Sequence, residues 1–219
     1  MTTLHRWGAL AAFTGAASYV VGFALLATLL APAGYGSSDA DPAAIVAFIA
    51  GANGVVTLWN LVIYVVNGIA LGILAVALAD RLKPYAPALA QTSLVFGIVW
   101  TTLVIGAGML ANVGNAAALA HYPADPDQAA LLWEIFYTVE TGLGGGNEIV
   151  GAVWALVLGA GMLRTGLFPR PLGAFSLLIG CAGLATIMPA ASDIAGAIFG
   201  LGYIAWFAWV GICLLRPRR

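Results

Sequence analysis

Apolar residues run along this chain in six long blocks, at about 7–31, 54–79, 87–112, 146–163, 172–188 and 194–215. Pro and Gly punctuate the connections, from Pro32 to Pro42, Pro84 to Pro87, Pro123 to Pro126, and at Pro169, Pro171 and Pro189. A helix crossing the roughly 30 Å hydrocarbon core of a bilayer takes about 20 mostly apolar residues. The pattern therefore predicts an all-α polytopic membrane bundle of six transmembrane helices, in one integral membrane domain over 1–219. The fourth and fifth spans are short. Ala31-Pro32-Ala33 imitates a cleavage site, but the first block is too long for a signal-peptide core and reads as a retained anchor.

Two outer loops carry short helices of their own. Each opens with Ala-Asp-Pro, at Ala40-Asp41-Pro42 and Ala124-Asp125-Pro126. Asp caps a helix start and Pro suits its first position. After the second, Leu131, Leu132, Ile135, Phe136 and Val139 share one face, while Glu134 and Thr138 point the other way, which predicts an amphipathic helix in the outer interface. The glycines at 142 and 144–146 then turn the chain into the fourth span, because one helix from 128 to 163 would be about 54 Å long.

Polar residues inside the spans are few and patterned. In the second span Asn53, Thr57, Asn60, Tyr64 and Asn67 succeed one another at +4, +3, +4, +3, one face of a helix. Leu71, Leu74 and Leu78 continue that face as an apolar plug. Two explanations stay open: hydrogen bonds between helices, about 0.6–2 kcal/mol each in a membrane, or the wall of a cavity. Gly68-x-x-x-Gly72 on the same helix suits close packing. Asn112 and Asn115 end the third span at the same level, and Glu134, Glu140 and Glu148, with Asn147, stand near it. Asn147-Glu148 also reads simply as a capped helix start, and Glu134 as part of a solvated face. The candidate ligand-binding set is Asn60, Tyr64, Asn67, Asn112, Asn115, Glu140, Asn147 and Glu148.

Charge changes the picture in two ways. Apolar residues make up 62% of the 219 residues and charged residues 8%, with mean hydropathy +1.00; a soluble domain carries roughly 25% charged residues. Lipid must cover most of this surface. The eight Lys and Arg all fall on one side of the predicted bundle, whereas the alternate loops hold Asp39, Asp41, Asp125, Asp127 and Asp193 and no base. The positive-inside rule then places both termini in the cytoplasm. It also leaves any buried carboxylate in the outer half without an internal base, so a proton or a cationic partner must balance it.

Other chemistries drop out. Net charge −1 gives no basic field for a nucleic acid. Cys181 and Cys213 lie in separate apolar runs and predict no disulfide. His5 and His121 lie on opposite sides, which excludes paired haem ligation. Asp125, beside His121 and Asp127, is better explained as a cap than as a metal ligand. No nucleophile–base pair or cofactor motif occurs, so the sequence names neither a catalytic residue nor a cofactor. Phe199, Tyr203 and Trp206, with Trp209 nearby, read as packing in the sixth span. Ser93-Leu94 and Ser176-Leu177, like Gly97 and Gly180, are 83 apart, a faint repeat of two inner hairpins.

The segment Gly166-Leu167-Phe168-Pro169-Arg170-Pro171-Leu172-Gly173, leading into a Gly-rich final hairpin, resembles a small six-span bacterial family of integral membrane proteins catalogued as a domain of unknown function. The resemblance implies a layout and no activity. The expected setting is the bacterial inner membrane, with the lipid bilayer as the constant partner. Two functions compete. One is binding or transport of a small polar or cationic molecule, or a lipid head group, in an outward-facing cavity. The other is an accessory subunit whose polar stripe meets a partner in a homo- or hetero-oligomer.

Overall fold

Each of the six apolar blocks contributes a helix, and the connections decide how those helices meet. The computed structural model describes residues 3–35, 40–145 and 148–216, and all regular structure among them is helical. Asp39, Gly146, Asn147 and two of the eight basic residues, Arg218 and Arg219, lie outside the described residues. Helix α1 spans Thr3–Leu25 and runs on through a π-helical turn, Leu26–Leu30, and a 3-10 turn, Ala31–Ala33. Gly34 ends it with φ +89°, a backbone that favours glycine. Helices α2 (Pro42–Asn60) and α3 (Asn67–Leu82) are joined by a π-helical stretch, Leu61–Val66. After them come α4 (Pro87–His121), α5 (Pro126–Glu140), α6 (Ile149–Thr165), α7 (Arg170–Ala185) and α8 (Ser192–Leu215).

The six long elements close a ring. Helix α1 packs on α3 and α8, α3 on α4, α4 on α6, α6 on α7, and α7 on α8. Small residues allow the close approach: a methyl at Gly8 would overlap Ala77, one at Gly68 would meet Ile105 at 2.5 Å, and one at Gly72 would meet Thr101 at 3.3 Å. Inside the ring Trp100, Trp154, Phe199, Tyr203, Trp206 and Phe207 are buried against one another. The sixth-span stripe is thus packing, pinned by the Tyr203 hydroxyl, which donates to Gly151 O at 3.0 Å.

One end of the ring gathers the bases. His5 Nε2 meets Asp80 Oδ2 at 3.1 Å, and the Arg81 guanidinium lies 5.4 Å from the centre of the Phe168 ring. These contacts tie the start of α1 to the end of α3, and α3 to the α6–α7 loop. At the opposite end α2 and α5 pack on each other and on α4. The predicted caps form there: Asp41 Oδ1 accepts from Ala43 N and Asp125 Oδ1 from Gln128 N, each at 3.0 Å, with Pro in the first turn.

Among the described residues, helical stretches long and apolar enough to cross a membrane include Thr3–Ala33, Pro42–Leu82, Pro87–His121 and Ser192–Leu215. Helix α7, at 16 residues, is apolar but shorter than these stretches. Large apolar side chains such as Leu58, Val113, Ile194 and Leu201 are exposed. These features make the chain a polytopic, multi-pass helical membrane protein.

Three details differ from the simple reading of the blocks. The first outer helix and the second span are one helical run, bent at Ala52 (φ −129°, ψ 19°). Helix α4 continues past 112 to His121, because α5 and α2 cover its extension. Helix α5 presents Ala129, Trp133 and Glu140 to the interior and leaves Leu131, Ile135 and Val139 exposed. The apolar face is where the periodicity puts it, but packing on α4 buries a neighbouring face. Cys181 and Cys213 are both unpaired.

Candidate functional site

The polar stripe of the second span turns into the bundle only from Asn60 onward. Asn53 is exposed and accepts from the Thr57 hydroxyl at 3.2 Å, just beyond the bend at Ala52. Asn60 is completely buried, and its Nδ2 donates to Asn112 Oδ1 on α4 at 3.0 Å. That pair is an interhelical hydrogen bond, the first of the two explanations of the stripe.

The π-helical stretch sets the positions of Tyr64 and Asn67. Asn67 N–H bonds back to Val62 O, five residues earlier, so this turn is wider than an α-helical one. Tyr64 sits within it, and its ring fits where Gly108 on α4 has no side chain. The Tyr64 hydroxyl donates to Glu140 Oε1 at 2.5 Å. Asn67 is 3% exposed, and its Oδ1 has no hydrogen-bond partner among the described residues.

These groups line two separate cavities. The larger, about 220 Å³, lies between α1, the Trp59–Asn67 segment, α4 and the start of α6. Tyr19, Phe23, Trp59, Tyr64 and Trp100 supply rings, and Asn67 and Glu148 supply polar atoms. The smaller, about 10 Å³, is bounded by Tyr35, Asn115, Trp133, Tyr137 and Glu140 among others. That is space for about one water. Asn115 is buried with its Nδ2 unpartnered, which a single water would satisfy. Burial pushes the Tyr35 phenol up, with the nearby Glu140 reinforcing the effect, so this wall stays neutral.

Glu148 directly precedes α6, yet its side chain makes no capping bond. Its backbone N–H donates to Thr186 Oγ1, at the end of α7, at 3.0 Å. The carboxylate is left to the larger cavity. Among the described residues, no Lys, Arg or His lines either cavity. A half-buried carboxylate such as Glu148, away from any base, favours a proton or a cationic partner. Further along α3, Leu71, Leu74 and Leu78 are packed into the core, all at most 2% exposed.

The structure therefore divides the candidate residues. Tyr64, Asn67 and Glu148 meet at the larger cavity; Glu140 and Asn115 meet at the smaller one; Asn60 and Asn112 bond to each other. Glu134 is exposed on the outer side of α5. Apart from Tyr64, the ring-bearing wall of the larger cavity is absent from the sequence-derived set. Its one local signal is the +4 pair Tyr19 and Phe23, which looks like ordinary helix packing. Trp59 is recognisable only in three dimensions, where its Nε1 donates to Gly22 O at 3.0 Å. Among the described residues no group of three His, Cys, Asp or Glu is placed to hold a metal.

No curated protein and no solved structure matches the chain. A family model described as a domain of unknown function, DUF4386, matches residues 37–215, most of the chain and both walls of the site except α1 and Tyr35. By that match the protein, a multi-pass helical bundle, belongs to the DUF4386 family.

Proposed function

We propose that this protein binds or moves a small molecule with a polar or cationic group, or a lipid head group, in the larger cavity. The observation that carries this reading is Asn67. A buried amide oxygen without a partner costs on the order of 1–3 kcal/mol, and a ligand in the cavity would satisfy it. At about 220 Å³ the space is smaller than the roughly 300–1,000 Å³ typical of drug-sized ligands, so the occupant is small. With both termini in the cytoplasm, as the placement of Lys and Arg implies, the cavity lies in the outer half of the membrane. The leucine plug separates it from the cytoplasm.

The accessory-subunit reading needs the polar stripe on the surface. Burial of Asn60 and Asn67 inside one chain weighs against it. The test is accessibility. In a background with Cys181→Ser and Cys213→Ala, Asn67→Cys should react with a small membrane-impermeant thiol reagent added from outside. Failure to react from either side would remove the cavity as a ligand site. Reaction only from the cytoplasmic side would reverse its direction.

A further inference from the structure

The larger cavity also constrains the chemistry of what it holds, and this inference rests on the reading of that cavity as a ligand site. Two of its polar side chains are already engaged elsewhere. The Tyr64 hydroxyl donates to Glu140, and the Trp59 indole N–H donates to Gly22 O. What these residues leave to the cavity is ring surface. Asn67 Oδ1 and the two oxygens of the Glu148 carboxylate add acceptors, from two side chains against five that bear rings. No Lys, Arg or His stands among the lining residues, and Glu140 adds a second carboxylate behind Tyr64. An anion has no counter-charge here.

A primary ammonium carries three N–H donors that each seek an acceptor, and a wall made mostly of ring faces offers few. An ammonium whose hydrogens are replaced by methyl groups needs none, and the faces of Trp and Tyr rings attract it through their quadrupoles. We propose that the ligand is an alkylated ammonium ion, held among the rings of Tyr19, Trp59, Tyr64 and Trp100 with Glu148 as its counter-charge. Asn67 then accepts from a hydroxyl or other donor attached to that cation. The same chemistry occurs in a soluble methylated amine and in the head group of a choline lipid.

The test uses the full chain in phosphatidylglycerol nanodiscs, with radiolabelled choline as the probe. Its neutral isostere, 3,3-dimethylbutan-1-ol, serves as competitor. Choline should bind saturably, and the isostere should compete at least tenfold more weakly than unlabelled choline. Glu148→Gln should weaken choline binding at least tenfold while leaving competition by the isostere unchanged. Phosphatidylcholine added to the discs should abolish choline binding if the source is a lipid, and leave it intact if the source is soluble. Equal competition by the isostere would overturn the proposal without any variant. Absence of choline binding, while Asn67→Cys is still labelled from outside, would overturn the ligand class and leave the cavity standing. Absence of that labelling would instead remove the site itself.

Discussion

Tyr64 and Glu140, 76 residues apart in sequence, are joined by a hydrogen bond from the phenol to the carboxylate at 2.5 Å. Tyr64 lines the larger cavity and Glu140 the smaller one. The bond thus links a residue of one space to a residue of the other. It also fixes α5 to the π-helical turn, so the outer helix is anchored to the bundle through a polar contact as well as through α4.

Removing the donor should cost more than neutralising the acceptor. Tyr64→Phe leaves Glu140 buried without that partner, and a loss of about 1–3 kcal/mol is expected. Glu140→Gln keeps an oxygen that can accept from Tyr64 and should lose less. Reversible unfolding in detergent mixtures, extended to the double variant, measures the coupling. Additive single effects would show that the two side chains do not stabilise each other.

Asn60→Leu should destabilise by about 0.6–1.7 kcal/mol, the range seen for hydrogen bonds between membrane helices. Its partner, Asn112 Oδ1, loses the Nδ2 donor at 3.0 Å. Replacing both by Leu should recover part of that loss, because no amide is then stranded. A double variant less stable than either single one would contradict this account of the pair.

Glycine substitutions offer a contrast between two sites. A methyl at Gly8 would overlap Ala77 across the α1–α3 contact, and neither Cβ can swing away. Gly8→Ala should therefore cost about 1–3 kcal/mol. Nothing lies within 4 Å of the corresponding position at Gly54. Gly54→Ala should be neutral or stabilise by up to about 1 kcal/mol, since Ala is the better helix former. Melting temperatures of the two variants should move in different directions; equal losses would refute the packing explanation.

Orientation is open to direct labelling. In the background without native cysteines, Asp125→Cys should react with an impermeant reagent added outside, and Lys83→Cys only after the membrane is opened. Both positions are exposed, at opposite ends of α4. The reverse pattern would invert the protein and with it the side from which the larger cavity is reached.

The cap on α5 is testable as well. Asp125→Ala removes the acceptor for Gln128 N–H at 3.0 Å and should cost about 0.5–2 kcal/mol. Hydrogen exchange at Gln128 and Ala129, in the first turn of α5, should report the loosening first. Unchanged protection there would mean that packing on α4 holds the helix without its cap.

Much of this molecule was legible in the chain alone, and for local reasons. The apolar blocks define the long helices because lipid admits only segments whose backbone bonds are internal. Asp41-Pro42 and Asp125-Pro126 mark helix starts through bonds spanning two or three residues, and both caps form. The +3/+4 spacing of Asn60, Tyr64 and Asn67 puts them on one side, and the cost of leaving amides in lipid turns that side inward. Tertiary structure alone decided what those residues meet. Which face of α5 turns inward depends on the length of α4 beyond 112, and that length depends on the helices packed against it. The pairing of Tyr64 with Glu140, the bond from Trp59 to Gly22, and the ring-lined wall around Asn67 join residues that no periodicity connects. Helical pattern is a property of neighbours a few residues apart, whereas a cavity is the space left when distant faces fail to close. Its contents depend on how α1, α3, α4 and α6 are arranged around it.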